Sequence, residues 1–221
     1  MEWVLPKKLQ KGMTLGFLAP ASSSSEDIKH IEHVAHDCGY KAVFASSCTS
    51  KGLYGGEPDE QAAEFNEFMT NDTCDAVIAL RGGYGTMRYV EQLDYEGIRK
   101  ARKPFVGYSD CTALHMAIGR YSRLVTYHGH MGVDWKEGRD EDIKHLFECL
   151  EGKLQVVEPL PEPPRGAIGV ELGDGILRGG NMTLLSMLMG TPYGFEPDSS
   201  EDTILFLEDV GEVPYKLDRM L

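Results

Sequence analysis

Short apolar runs alternate with amphipathic stretches through the first two-thirds of the chain, and few architectures accept that pattern. "MTLGFLAPAS", "YKAVFAS", "CDAVIAL" and "KPFVGY" read as strands. Between and after them, "SSEDIKHIEHVAHDCG", "DEQAAEFNEFMTND", "TMRYVEQLDYEGIRK", "CTALHMAIGRYS" and "RDEDIKHLFECLEG" read as helices. In the first helix Ile28, Ile31, Val34 and Ala35 share a face, with Ser25 or a neighbour as cap and Gly39 closing it; in the second Ala62, Phe65, Phe68 and Met69 do the same. The run "CDAVIAL" is almost unbroken, as expected of a strand covered on both faces of a parallel sheet. Strands and helices in this rhythm predict an α/β chain with a Rossmann-like, doubly wound parallel sheet.

The pattern then changes. "VVEPLPEPPRGAIG" holds four of the chain's 11 prolines and reads as an extended linker, which places a boundary near residue 165. Residues 1–165 then form the N-terminal domain and 166–221 a partial C-terminal α/β domain, too short to bury a core of its own. In that second part "GILRGGNMTLLSMLMG" reads as a glycine turn feeding an apolar helix, and "DTILFLEDVGEVPYKLDRML" as a strand, a loop and the start of an amphipathic helix.

Composition excludes several function classes. A formal net charge of −13 gives phosphate backbones no basic patch, so nucleic acid is not expected as a partner. No apolar run is long enough to span a membrane, and the N-terminus has no secretory leader pattern. The five cysteines are scattered without CxxC spacing, so the expectation is free thiols in a reducing cytoplasm, with no metal and no cofactor.

Three stretches carry candidate chemistry. In "KPFVGYSDCTALHMAI" Ser109 falls at the bend between a buried strand and a helix, where open α/β sheets place ligands. "GYSDC" departs from the GxSxG nucleophile elbow, and from the residues alone Ser109 or Asp110 reads by default as an ordinary helix N-cap. "ALRGGYGTMRYV" puts paired glycines after the third strand, either a tight turn or a loop whose peptide N–H groups face an anion. "ILFLEDVGEVPY" brings Glu208 and Asp209 to a strand end, as solvated acids or as a carboxylate orienting a histidine.

Taken together, and in this order, the stretches "LGFLAPAS", "ALRGGYGTMRYVEQLDYEGIRKARKPFVGYSDCTALH", "LRGGN" and "LFLEDVGEVPYKLDRML" resemble the L,D-carboxypeptidases, the muramoyl-tetrapeptide carboxypeptidase family that includes microcin-immunity relatives. The resemblance implies a serine peptidase that cleaves the bond from an L-centre to a terminal D-residue of murein peptides during cytoplasmic cell-wall recycling. It implies Ser109 as nucleophile, Glu208 as the carboxylate orienting a histidine base, and the backbone N–H groups of Gly83 and Asp110 as the oxyanion hole. Arg81 and Tyr84 are candidates for substrate binding; Arg81 serves equally as a structural ion-pairing residue. A homodimer is left open. The alternatives are an immunity-type hydrolase of peptidyl or acyl adenylates and an inactive peptide-binding relative.

The base is where the sequence departs from the resemblance. The family's histidine follows the glutamate in a glycine-rich segment, and none of the 7 histidines holds that place, so the expectation is a C-terminally truncated chain. His30, His33 and His36 read as a solvated helix face, and His115 as a packed helix residue. His128 and His130, in "TYHGHMG", are the candidates for a substitute base.

Overall fold

The computed structural model describes residues 1–24, 28–135, 140–153, 173–194 and 202–221. Strands β1 (Thr14–Leu18), β2 (Lys41–Phe44), β3 (Ala76–Ala79), β4 (Phe105–Gly107) and β5 (Tyr127–His128) form one parallel sheet in the order β2-β1-β3-β4-β5. Helices α1 (Ile28–Asp37), α2 (Pro58–Thr70), α3 (Tyr95–Ala101), α4 (Thr112–Tyr121) and α5 (Asp140–Leu150) cover it.

Alternation along the strands divides the core into two layers. Ala76 and Ile78 of β3 pack on one face with Leu15, Phe17, Trp135 and Phe147. Val77 and Ala79 pack on the other with Phe65, Met69, Ile98 and Leu114. Every residue of β3 is buried, as its unbroken apolar run requires. Edge-to-face contacts of Phe17 with Trp135 and of Phe65 with Phe105, each at 5.3 Å between centroids, fix the two layers; burying each such ring stabilises the fold by about 2 kcal/mol or more. The doubly wound expectation therefore holds.

Chain order reverses between β1 and β3, so a crevice opens beyond their carboxyl ends. The loops after β1, β3 and β4 meet there.

The second unit is a βαβ crossover. Strands β6 (Ile176–Asn181) and β7 (Thr203–Glu208) pair in parallel from Ile176↔Thr203 to Asn181↔Glu208, with α6 (Met182–Leu188) after β6 and α7 (Pro214–Met220) after β7. Leu185 and Leu188 of α6 join the core layer that α4 lines. On β7, Ile204, Leu205, Phe206 and Leu207 stay 38–50% exposed. The boundary expected near residue 165 lies outside the described residues, as does the cap at Ser25.

Two expectations are corrected. "TMRYVEQLDYEGIRK" is not one helix: single turns at Thr86–Arg88 and Val90–Gln92 precede α3. Asp94 divides the stretch because its carboxylate accepts the Gly97 N–H at 2.9 Å and starts a new helix. In "GILRGGN" the glycines form no turn; they lie inside β6, where the backbone of Gly179 packs against that of Phe206 too closely for a side chain.

Candidate active site

Ser109 is held at the end of β4 in the left-handed region, with φ +59°. Only a few non-glycine residues adopt it, and it costs about 1 kcal/mol, so the surrounding structure must impose it. The chain turns through Ser109–Cys111 straight into α4.

The N-cap reading of this bend is corrected by the geometry. Cys111 occupies the cap position of α4 and makes no side-chain cap bond. Asp110 points the other way: its Oδ2 accepts the Thr86 N–H at 2.9 Å, while Thr86 Oγ1 donates to the Asp110 carbonyl at 2.7 Å. Burial raises the Asp110 carboxyl above its ordinary range, and the Thr86 N–H and hydroxyl pull it back. This carboxylate therefore joins the bend to the glycine loop.

That loop, residues 82–85, passes directly over Ser109. A Cβ on Gly82 would lie 3.1 Å from Ser109 Cβ and 3.2 Å from Oγ, so any larger residue would have to push the Ser109 side chain aside by a few tenths of an ångström. Gly83 has φ +121° and presses on Ser22. Ser22 Oγ accepts the Tyr84 N–H at 3.1 Å, and its own N–H donates to the Gly82 carbonyl at 3.4 Å. Thus the loop after β1 braces the loop after β3. Among the described residues the N–H groups of Gly83 and Asp110 have no hydrogen-bond acceptor, and Ser109 Oγ has no hydrogen-bond partner.

Glu208 is linked to the start of α4 by a chain of short contacts. Thr112, three residues after Ser109, accepts the Asn181 N–H at 3.0 Å on its Oγ1, where Gly180 lacks a side chain to obstruct it. Asn181 caps α6 through Leu184 N–H at 3.2 Å and pairs in register with Glu208. Burial, and then the neighbouring Asp209, raise the Glu208 carboxyl; the Asn181 side chain opposes them. Among the described residues Glu208 Oε1 is buried without a hydrogen-bond partner, and His128 Nε2 stands 4.0 Å from it, near enough for charge attraction but too far for a hydrogen bond.

The remaining candidates separate. Arg81 Nη1 donates to the Ser23 carbonyl at 3.3 Å. Tyr84 is 53% exposed beside Tyr54, at 6.0 Å between ring centroids. His115 is buried, with Nδ1 against Thr126 Oγ1 and Nε2 against the Gly107 carbonyl, both at 2.8 Å, so neither ring nitrogen is free for Ser109. His130 faces Asp142 at 3.9 Å. His30 bonds the Trp135 carbonyl at 2.7 Å, while His33 and His36 are exposed beside Asp37. No group of His, Cys, Asp and Glu among the described residues could hold a metal ion, and no helix among them is long and apolar enough to cross a membrane.

Sequence reasoning missed Ser22, Gly82, Thr112 and Asn181. Their signal was present: Ser22 ends "LGFLAPAS", Gly82 is the first glycine of "RGGYG" and Asn181 closes "LRGGN". Their use depends on which loops meet, which no single stretch reveals.

Residues 15–129 match the model of the LD-carboxypeptidase N-terminal domain and residues 174–221 that of the LD-carboxypeptidase C-terminal domain. The chain belongs to the LD-carboxypeptidase family. It is 36% identical over 228 residues to a probable murein peptide carboxypeptidase of Bacillus subtilis (strain 168), covering 98% of this chain and 68% of that protein. Its fold superimposes with a TM-score of 0.83 on a MccF-like protein of Bacillus anthracis, at 25% identity, over 98% of this chain and 74% of the other. With a muramoyltetrapeptide carboxypeptidase from Oxalobacter formigenes the TM-score is 0.77 at 27% identity, over 94% and 69% of the two chains. Both solved structures thus share the arrangement of sheet and crossover on which this LD-carboxypeptidase family member builds its crevice.

Proposed function

We propose that this chain carries the acyl-transfer site of a serine L,D-carboxypeptidase acting on murein tetrapeptides in the cytoplasm. The observation that carries the reading is Ser109: a hydroxyl without a hydrogen-bond partner among the described residues, on a left-handed bend, beneath a glycine loop. In this reading Ser109 Oγ attacks the carbonyl between the L-centre and the terminal D-residue. Its proton passes to a histidine base oriented by Glu208, and the tetrahedral oxyanion lies against the N–H groups of Gly83 and Asp110. Collapse expels the D-amino acid, and water hydrolyses the acyl-enzyme. A strained, preorganised nucleophile avoids reorganisation during attack.

The base that the resemblance places in a glycine-rich segment has no counterpart in these 221 residues. Turnover in this reading depends on such a base, whereas the bend at Ser109 is held by contacts within the described residues. The reading is therefore tested first by a fluorophosphonate probe with mass-spectrometric localisation. Adduct formation at Ser109 supports it; adduct at another residue in its place rejects it.

A second reading, an immunity-type hydrolase of peptidyl or acyl adenylates, draws on the TM-score of 0.83 with the MccF-like protein. Release of the D-residue from a murein tetrapeptide, compared with cleavage of a peptidyl adenylate, separates the two.

A further inference from the structure

We propose that His128 is a positioning residue for Glu208, a contact between the five-stranded sheet and the β6–β7 crossover that holds the carboxylate in its working orientation. The assignment rests on reading Glu208 as the carboxylate that orients the base, but the contact itself is independent of Ser109.

Three observations carry it. Glu208 Oε1 is buried with no hydrogen-bond donor among the described residues, an arrangement proteins rarely leave uncompensated. His128 Nε2 lies 4.0 Å away, and its side chain is 31% exposed against 23% for Glu208, so the pair is partly shielded from water. The imidazole is also steered from several sides: its edge meets Phe206, two residues before Glu208 on β7, at 5.2 Å, and its plane is tilted against Tyr108 at 6.0 Å. His128 pairs in register with Gly107, so the strand that presents Ser109 also fixes the depth of the imidazole.

The neighbouring titratable groups His115, Tyr108, His130 and Asp209 each have another partner. His115, 6.3 Å away between ring centroids, is bonded on both nitrogens. Tyr108 donates its hydroxyl to Asp134 at 3.2 Å, and His130 faces Asp142. Asp209 accepts the Thr183 N–H and hydroxyl at 3.1 and 2.7 Å. Glu208 is thus the carboxylate toward which the His128 Nε2 is directed.

Proton titrations by NMR test the pair in the whole chain. Replacing Glu208 by Gln removes an anion 4.0 Å from the imidazole; the His128 pKa is then expected to fall by at least about 0.7 of a pH unit. The Glu208 carboxyl resonance gives the reciprocal reading. In His128→Phe, which keeps an aromatic ring against Phe206 but removes the polar ring nitrogen facing the carboxylate, the Glu208 pKa rises; in His128→Gln, which keeps a polar N–H group on that side, it returns toward the wild-type value. If Glu208→Gln leaves the His128 titration unchanged, or if Phe serves the Glu208 carboxyl as well as Gln does, the proposal is overturned. Labelling of Ser109 reports separately on the nucleophile, so failure of one reading is distinguishable from failure of the other.

Discussion

The carboxylate of Asp110 accepts a hydrogen bond from the main-chain N–H of Thr86, and the Thr86 hydroxyl returns one to the Asp110 carbonyl. Two loops from neighbouring strands are joined by this reciprocal pair. Asp110→Ala leaves the buried Thr86 N–H without an acceptor and is expected to cost about 1–3 kcal/mol in urea denaturation. Asp110→Asn keeps an acceptor oxygen and removes a charge that burial disfavours, so it should cost less. Equal losses for the two variants would contradict the role assigned to the bond.

Ser109 pays a conformational penalty at φ +59° that any residue with a Cβ shares. Ser109→Gly and Ser109→Ala should both abolish fluorophosphonate labelling. The glycine variant should nevertheless be about 1 kcal/mol more stable than the alanine variant, because only glycine is at ease in this region. Urea midpoints measured side by side check the difference.

Gly82 and Gly83 are adjacent but should fail in different ways. In Gly82→Ala the new methyl meets Ser109 at 3.1 Å and displaces the hydroxyl, so labelling should slow by up to about 100-fold. In Gly83→Ala the methyl meets Ser22 while the backbone is held at φ +121°, so the larger effect should be on stability. Labelling rates and urea midpoints of the two variants give a direct comparison.

His115 predicts a pH dependence. Burial lowers its pKa from 6.5 to about 4, against the Gly107 carbonyl, which favours the charged ring. The folded chain therefore holds the imidazole neutral where the unfolded chain takes up a proton. Its contribution is complete above pH 6.5 and is lost as the pH falls toward 4, a loss approaching about 3 kcal/mol. In His115→Gln, stability measured between pH 7 and pH 4.5 should fall less steeply than in the parent; parallel curves would exclude His115 as the cause.

The alternation of apolar runs and amphipathic stretches was enough to determine the doubly wound class, because a strand as uniformly apolar as Ala76–Ala79 has no stable position except between two helical layers. Glycine pairs and strand-end acids marked the loops where chemistry could lie. Local pattern failed at Asp94, where a side-chain cap divided an apparently continuous helix, and at "LRGGN", where Phe206 from a distant strand drew the glycines into a sheet. It could not choose between cap and nucleophile for Ser109, since both readings need the same residue at the same bend. The tertiary structure removes the cap reading: Cys111 holds the cap position of α4, Asp110 is turned toward Thr86, and Gly82 lies against the Ser109 side chain. Those contacts join residues far apart in the chain, and their geometry exists only once the sheet order has brought three loop ends together.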